Sequence, residues 1–200
     1  MTFRSVYDNQ HDILAAIVAL HCPEGFDADI TYGNGQFWKG PVPKPPHCFD
    51  LEPLEDGVMM ASSVSLPVTD ECWGSVVFDP PFLTYVKAGR QHKDGKVKMT
   101  QRFGGYWTYQ ELAEHYQGTL QECRRVLRKK GVLVVKCQDI IHNHRMHATH
   151  VNVVNWAEQY GFRLKDLFVL PAKHRMPSPQ KGTQRHARIH HSYFLVTEKQ

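Results

Sequence analysis

No Cys-x-x-Cys pair occurs in this sequence, and its five cysteines, Cys22, Cys48, Cys72, Cys123 and Cys137, are scattered and odd in number. That argues against a disulfide framework or a cysteine-built zinc site, and it suits a reducing compartment. No apolar run approaches the ~20 residues that a membrane span needs, and none follows a basic start at the N-terminus. The expectation is a soluble, cytoplasmic protein with no membrane partner. Internal repeats and low-complexity tracts are missing as well. What remains is 200 residues, 42% of them hydrophobic, which suits one domain with a real core, residues 1–200.

Acidic residues are scarce in two places. The net charge is only +4, yet Thr84 to Gln110 holds six Lys/Arg (Lys87, Arg90, Lys93, Lys96, Lys98 and Arg102) against one acid, Asp94. Lys173 to His191 holds five (Lys173, Arg175, Lys181, Arg185 and Arg188), with four histidines and no acid. Two basic segments in a nearly balanced chain, 84–108 and 171–191, fit a localised surface for a polyanion as well as they fit two solvated loops.

Hydrophobic periodicity predicts a helix over His11 to His21, ended by Pro23 and Gly25, then short strands at Phe26–Thr31, His47–Leu51 and Val58–Ala61. A stronger strand, Ser75–Phe78, runs into Asp79-Pro80-Pro81. An amphipathic helix follows over Tyr109–Leu127, closed by Gly131, and then a strand of buried type, Val132–Cys137. A helix at Thr149–Tyr160 and strands at Phe162–Leu170 and Ser192–Thr197 complete the chain. Alternating strands and helices imply an α/β, doubly wound, mostly parallel sheet. The two closing strands have no helix between them and are expected to pair antiparallel. Ligands bind such sheets beyond the carboxyl ends of the parallel strands, and if the penultimate strand is parallel to the others both basic segments would converge there, which strengthens the polyanion reading.

Three motifs leave that edge. The turn Asp29-Ile30-Thr31-Tyr32-Gly33-Asn34-Gly35 places glycines after a strand, where backbone can approach a ligand closely. The next strand ends in Asp50, where a nucleotide ribose would offer hydroxyls to a carboxylate. In Val77-Phe78-Asp79-Pro80-Pro81-Phe82, consecutive prolines hold the chain extended and donate nothing. The Pro80 carbonyl and the Asp79 carboxylate would form a pair of acceptors suited to both N–H groups of an amine. Phe82 adds a flat face on which a base can stack.

Over nearly its whole length the chain resembles the S-adenosylmethionine-dependent DNA amino-methyltransferases, which modify adenine at N6 or cytosine at N4. Asp29, Gly33 and Gly35 match the family's Asp-Pro-Phe-x-Gly-x-Gly cofactor loop, Asp50 its ribose-binding acid, and Asp79-Pro80-Pro81-Phe82 its catalytic Asp-Pro-Pro-Tyr/Phe. Lys130-Gly131-Val132-Leu133-Val134-Val135 and His191-Ser192-Tyr193-Phe194-Leu195-Val196 resemble its late strands, and the helix near His11–Leu20 falls where the family places one beside the methionine end of the cofactor. Ile30 replaces the usual proline, and Ser62 stands where many relatives carry an acid near the cofactor's adenine. The resemblance implies a Rossmann-like methyltransferase fold with its last strand antiparallel, a cofactor site of Asp29, Thr31, Tyr32, Gly33, Gly35, Asp50 and Ser62, and catalysis by Asp79, Pro80, Pro81 and Phe82. It also implies an extruded base methylated by direct in-line transfer, with DNA as the partner. Adenine N6 is favoured, because aspartate at the motif's first position is commoner in adenine enzymes.

Alternatives stay open. An RNA base-amine methyltransferase would carry a similar motif, and a catalytically inactive nucleic-acid-binding subunit could keep the fold. His142, His144, His147 and His150 have a tempting metal spacing, but a basic, partly solvated segment is the favoured reading and no metal is expected. Phe103, Tyr106 and Trp107 could stack on extruded bases or anchor the first basic loop. The oligomeric state stays open, with a homodimer among the options.

Overall fold

The architecture comes from a computed structural model, which describes residues 2–82, 84, 106–172 and 183–200. Helix α1 (Gln10–His21) starts at Asn9, whose side chain accepts the Asp12 N–H at 2.9 Å, satisfying one of the donors that a helix start leaves open. Short strands β1 (Ala28–Asp29), β2 (His47–Asp50) and β3 (Met59–Met60) follow, then β4 (Trp73–Phe78). Helix α2 (Tyr109–Val126) opens on a capping box, in which Thr108 and Glu111 each bond the other's backbone N–H. After it come β5 (Leu127–Cys137), β6 (Ile140–His142), β7 (Arg145–His147), α3 (Thr149–Gln159), β8 (Phe162–Pro171) and β9 (His191–Lys199).

Seven strands form one sheet in the order β3-β2-β1-β4-β5-β9-β8. Every pairing from β3 to β5 is parallel, while β9 lies antiparallel to both β5 and β8. The expected doubly wound sheet with an antiparallel last strand is therefore what forms, and β8 runs parallel to β5. Both faces are covered, which is why the central stretches Val76–Phe78 and Val132–Val135 are apolar throughout. Val76, Phe78, Leu133 and Val135 pack towards α2 and α3 with Leu112, Tyr116 and Leu120. Val77, Val132 and Val134 alternate to the other face, against Ile13, Leu14 and Ile17 of α1, with Phe37, Trp38, Phe168 and Phe194. Among the described residues no helix is long and apolar enough to cross a membrane.

Two local expectations need correction. Gly131 does not close α2: the helix stops at Val126, Leu127 is already extended, and Gly131 lies within β5. The chain tightens between Leu127 and Gly131, where Lys130 adopts φ 61° and a Cβ on Gly131 would sit 2.8 Å from the Arg128 carbonyl. The segment around His144, expected as a basic, partly solvated stretch with no strands assigned to it, is a β6–β7 hairpin whose residues 143–146 are exposed. Its reversal uses Asn143 (φ 50°) and His144 (φ 58°), two left-handed residues of the kind a tight hairpin turn demands.

Candidate active site

The carboxyl edge of the parallel strands gathers the expected motifs. After β1, the Ile30 N–H bonds Val77 O (3.1 Å) and the Tyr32 N–H bonds Phe49 O (2.9 Å), so the loop is stitched to both flanking strands. Asp29 is 1% exposed. One of its oxygens accepts the Thr31 N–H at 2.9 Å and the other the Trp38 indole N–H at 2.6 Å. Burial pushes the Asp29 carboxyl up to about 7, against the pull of those two donors; the Asp79 and Asp50 charges push in the same direction as burial. Asp29 thus shapes the loop from within.

Gly33 and Gly35 take left-handed conformations, φ 60° and 66°. A Cβ on Gly35 would fall 2.9 Å from the buried Tyr32 hydroxyl, so the turn is a cradle that only glycine leaves open. Asp50, at the end of β2, accepts the Gly33 N–H at 2.7 Å and the Glu52 N–H at 2.9 Å. The glycine turn and the expected ribose acid are therefore joined directly. Tyr32 also reaches Glu55 (3.3 Å). Ser62 is half-buried past β3, at a narrow turn in which its carbonyl accepts the Ser65 N–H at 2.9 Å.

Asp79 follows β4 directly, and its N–H donates to Thr31 Oγ1 at 2.8 Å, locking the Asp-Pro-Pro-Phe segment to the glycine loop. Its Oδ2 lies 3.3 Å from the Lys136 ammonium; no described residue bonds Oδ1. Burial raises the Asp79 pKa, and the Lys136 charge and hydrogen bond oppose that rise. Half-buried Phe82 lines a cavity of about 350 Å3 with Asn9, Gln10, Lys136, Gln138 and His191 among its walls, a volume at the small end of ligand sites.

Several participants escaped the sequence reading. Lys136 looks like a strand residue in the sequence and Gln10 falls just before the expected helix, and only the fold brings Lys136 to Asp79 and Gln10 to Lys136. Trp38 reads as core, yet it holds Asp29. Ser63, next to Ser62, bonds His115 (2.7 Å) and Thr119 (3.0 Å), and Tyr106 bonds the other nitrogen of His115. Burial lowers the His115 pKa to about 4, so the ring serves this network as a neutral group. Tyr106 is thus tied into the core, while Trp107 is 41% exposed. Arg185 and Arg188 are exposed. Lys87, Arg90, Lys93, Lys96, Lys98, Arg102, Phe103, Lys173, Arg175 and Lys181 lie outside the described residues.

The histidines considered for metal binding are occupied differently. His147 stacks on Tyr109 at 3.7 Å, and His150 bonds Asp139 at 2.7 Å. Among the described residues no group of three or more His, Cys, Asp or Glu is placed to hold a metal ion.

No family model and no curated protein matches the chain. Solved structures do. The (4+2)-cyclase SpnF aligns at TM-score 0.54 and 12% identity, over 96% of this chain and 81% of its own. A candidate methyltransferase from Bacillus halodurans aligns at TM-score 0.51 and 14% identity, over 93% of this chain and 98% of its own. A candidate DNA modification methylase from Thermus thermophilus, complexed with S-adenosyl-L-methionine, aligns at TM-score 0.44 and 15% identity over 66% of this chain. The match spans about half of that methylase, 48% of its length. The sheet order and the first two likenesses together establish a Rossmann-like, doubly wound α/β fold, one shared with a candidate methyltransferase.

Proposed function

We propose that this chain transfers a methyl group from S-adenosylmethionine to an exocyclic base amine of DNA, adenine N6 ahead of cytosine N4. One observation carries the reading: the Asp79-Pro80-Pro81-Phe82 segment leaves the central strand β4 locked through Thr31 to a glycine cradle, and Phe82 walls an adjoining cavity.

The residues present fit the cofactor. Gly33 has open space where a Cβ would sit and Gly35 packs too closely on Tyr32 to carry one, and Asp50, half-buried at the end of β2, is an acceptor for ribose hydroxyls once it exchanges the Gly33 N–H. Tyr32, Thr31 and Ser62 complete that edge, with Asp29 bracing it from below. Bound there, S-adenosylmethionine supplies an electrophilic methyl carbon on a sulfonium.

The chain's own groups do the rest. Phe82 offers a face for an extruded base, because the amine is out of reach while the base is stacked and paired. Asp79 and the Pro80 carbonyl accept the two amine N–H groups, which draws the nitrogen lone pair out of conjugation with the ring. Asp79, its basicity raised by burial, would take the proton that the amine nitrogen loses on being methylated. Most of the acceleration then comes from alignment and fixed charge, and no cysteine nucleophile is required. Basic segments 84–108 and 171–191 leave from the ends of β4 and β8, at this same edge, and supply the positive charge a phosphate backbone needs.

The test is labelled methyl transfer by purified protein to duplex DNA and to RNA in parallel. Label in DNA, lost in Asp79→Ala, supports the reading. Label in RNA alone moves the substrate, and label in neither, with DNA still bound, leaves a binding subunit.

A further inference from the structure

Lys136 breaks the pattern of its own strand. Val132 and Val134 point to the α1 face of β5 and pack with Val77, Phe194 and Val196. Lys136 is the next residue in that register, so its stem continues an apolar series. Its side chain is only 13% exposed. The ammonium lies 3.2 Å from Gln10 Oε1 and 3.3 Å from Asp79 Oδ2, and over the rings of Phe37 (5.1 Å) and Phe194 (5.4 Å). A buried ammonium is costly unless it is paired and held, and methionine or leucine would continue the apolar face without that cost. What the lysine adds is a cation on one oxygen of Asp79.

We propose that Lys136 is a positioning residue for methyl transfer: clamped by Gln10 and two aromatic faces, it grips Asp79 Oδ2 and so keeps that carboxylate ionised, with Oδ1 turned to the target amine. The proposal rests on the reaction read above. A protonated Asp79 would present an O–H donor to a group that must itself donate. The other groups facing Asp79 work against ionisation or are neutral. Asp29 on β1 adds a nearby carboxylate and Tyr116 on α2 a phenol with raised pKa, while Gln10 on α1, an uncharged amide, meets the Lys136 ammonium. Lys136 is the one cation among the described residues in contact with Asp79.

The experiment titrates the Asp79 carboxyl carbon by NMR in cofactor-free protein, assigned by its loss in Asp79→Asn. It compares wild type with Lys136→Met, Lys136→Gln and Lys136→Arg. An opposite charge at this range is worth about 1–3 pKa units. The Asp79 pKa should therefore rise by about one unit or more in Lys136→Met and Lys136→Gln, and stay near wild type in Lys136→Arg. The acid limb of the methyl-transfer pH profile should move up by the same amount, with kcat recovering at high pH and the KM for DNA little changed. An unmoved Asp79 titration in either folded neutral variant overturns the proposal, as does a loss of turnover that no pH restores. Because the NMR titration needs no substrate, a protein that shows the shift but methylates nothing contradicts the proposed reaction and not the Lys136–Asp79 coupling.

Discussion

Asp29 ends β1 and Asp79 follows the adjacent parallel strand β4, and burial raises the pKa of both carboxyls, yet they are answered differently. Asp29 meets two fixed N–H donors, one on each oxygen, from Thr31 and Trp38. Asp79 meets a lysine on one oxygen and no described partner on the other. A carboxylate answered on both oxygens by its own loop is scaffold. One answered on a single oxygen by a long cationic side chain keeps a valence for something else. Under the proposed reaction, the same residue type, one strand apart, is thereby divided between shaping the site and acting in it.

Breaking the active member should have the largest effect. Asp79→Ala is expected to lower turnover by about 10²–10³-fold or more, the range for losing a key charge-aligning group. Cofactor binding measured by calorimetry should remain close to wild type. Asp29→Asn should do the reverse, reducing stability and cofactor affinity together. An amide can accept from only one of the two N–H groups, and a buried donor left unsatisfied costs about 1–3 kcal/mol.

That variant also sharpens the comparison through pH. The folded Asp29 pKa is raised to about 7 from 3.8. Between these values the folded state holds a proton that the unfolded state has released, so this group's contribution falls as pH rises from about 4 to 7. The difference in melting temperature between wild type and Asp29→Asn should drift against wild type across that window; a constant difference contradicts the raised pKa.

Smaller effects are expected further out. Gly35→Ala forces a left-handed alanine and a 2.9 Å contact with the Tyr32 hydroxyl, a strain of about 1–2 kcal/mol from the conformation alone. It should weaken the cofactor while leaving Asp79 in place. Arg188→Ala, at an exposed position beyond the Asp29–Asp79 pair, should only weaken DNA binding. If Arg188 contacts a phosphate, the slope of log affinity against log salt should fall by about 0.9.

Much of this was legible in the sequence, for physical reasons. Alternating helix and strand periods, and central strands apolar on both faces, dictate a doubly wound sheet. The glycine turn, Asp50 and Asp79-Pro80-Pro81-Phe82 are local motifs whose edge of the sheet follows from that topology. Lys136 was not legible, because a lysine ending an apolar strand reads as solvated until α1 is folded over it. Trp38 looks like core because its role lies in one indole N–H. The β6–β7 hairpin was hidden because Asn143-His144 supplies left-handed conformations without the glycine that usually announces such a turn. Gly131 misled for the opposite reason: the glycine marks crowding against Arg128 inside β5 and not a helix end.

The most direct test of the division between Asp29 and Asp79 is mass spectrometry of nucleosides from host DNA after expression in a methylation-deficient strain. Wild type, Asp79→Ala and Asp29→Asn would be compared at matched soluble levels. N6-methyladenine should accumulate with wild type, vanish with Asp79→Ala, and persist at a reduced level with Asp29→Asn. An undiminished mark in Asp79→Ala, or no new methylated base with wild type, would contradict the account.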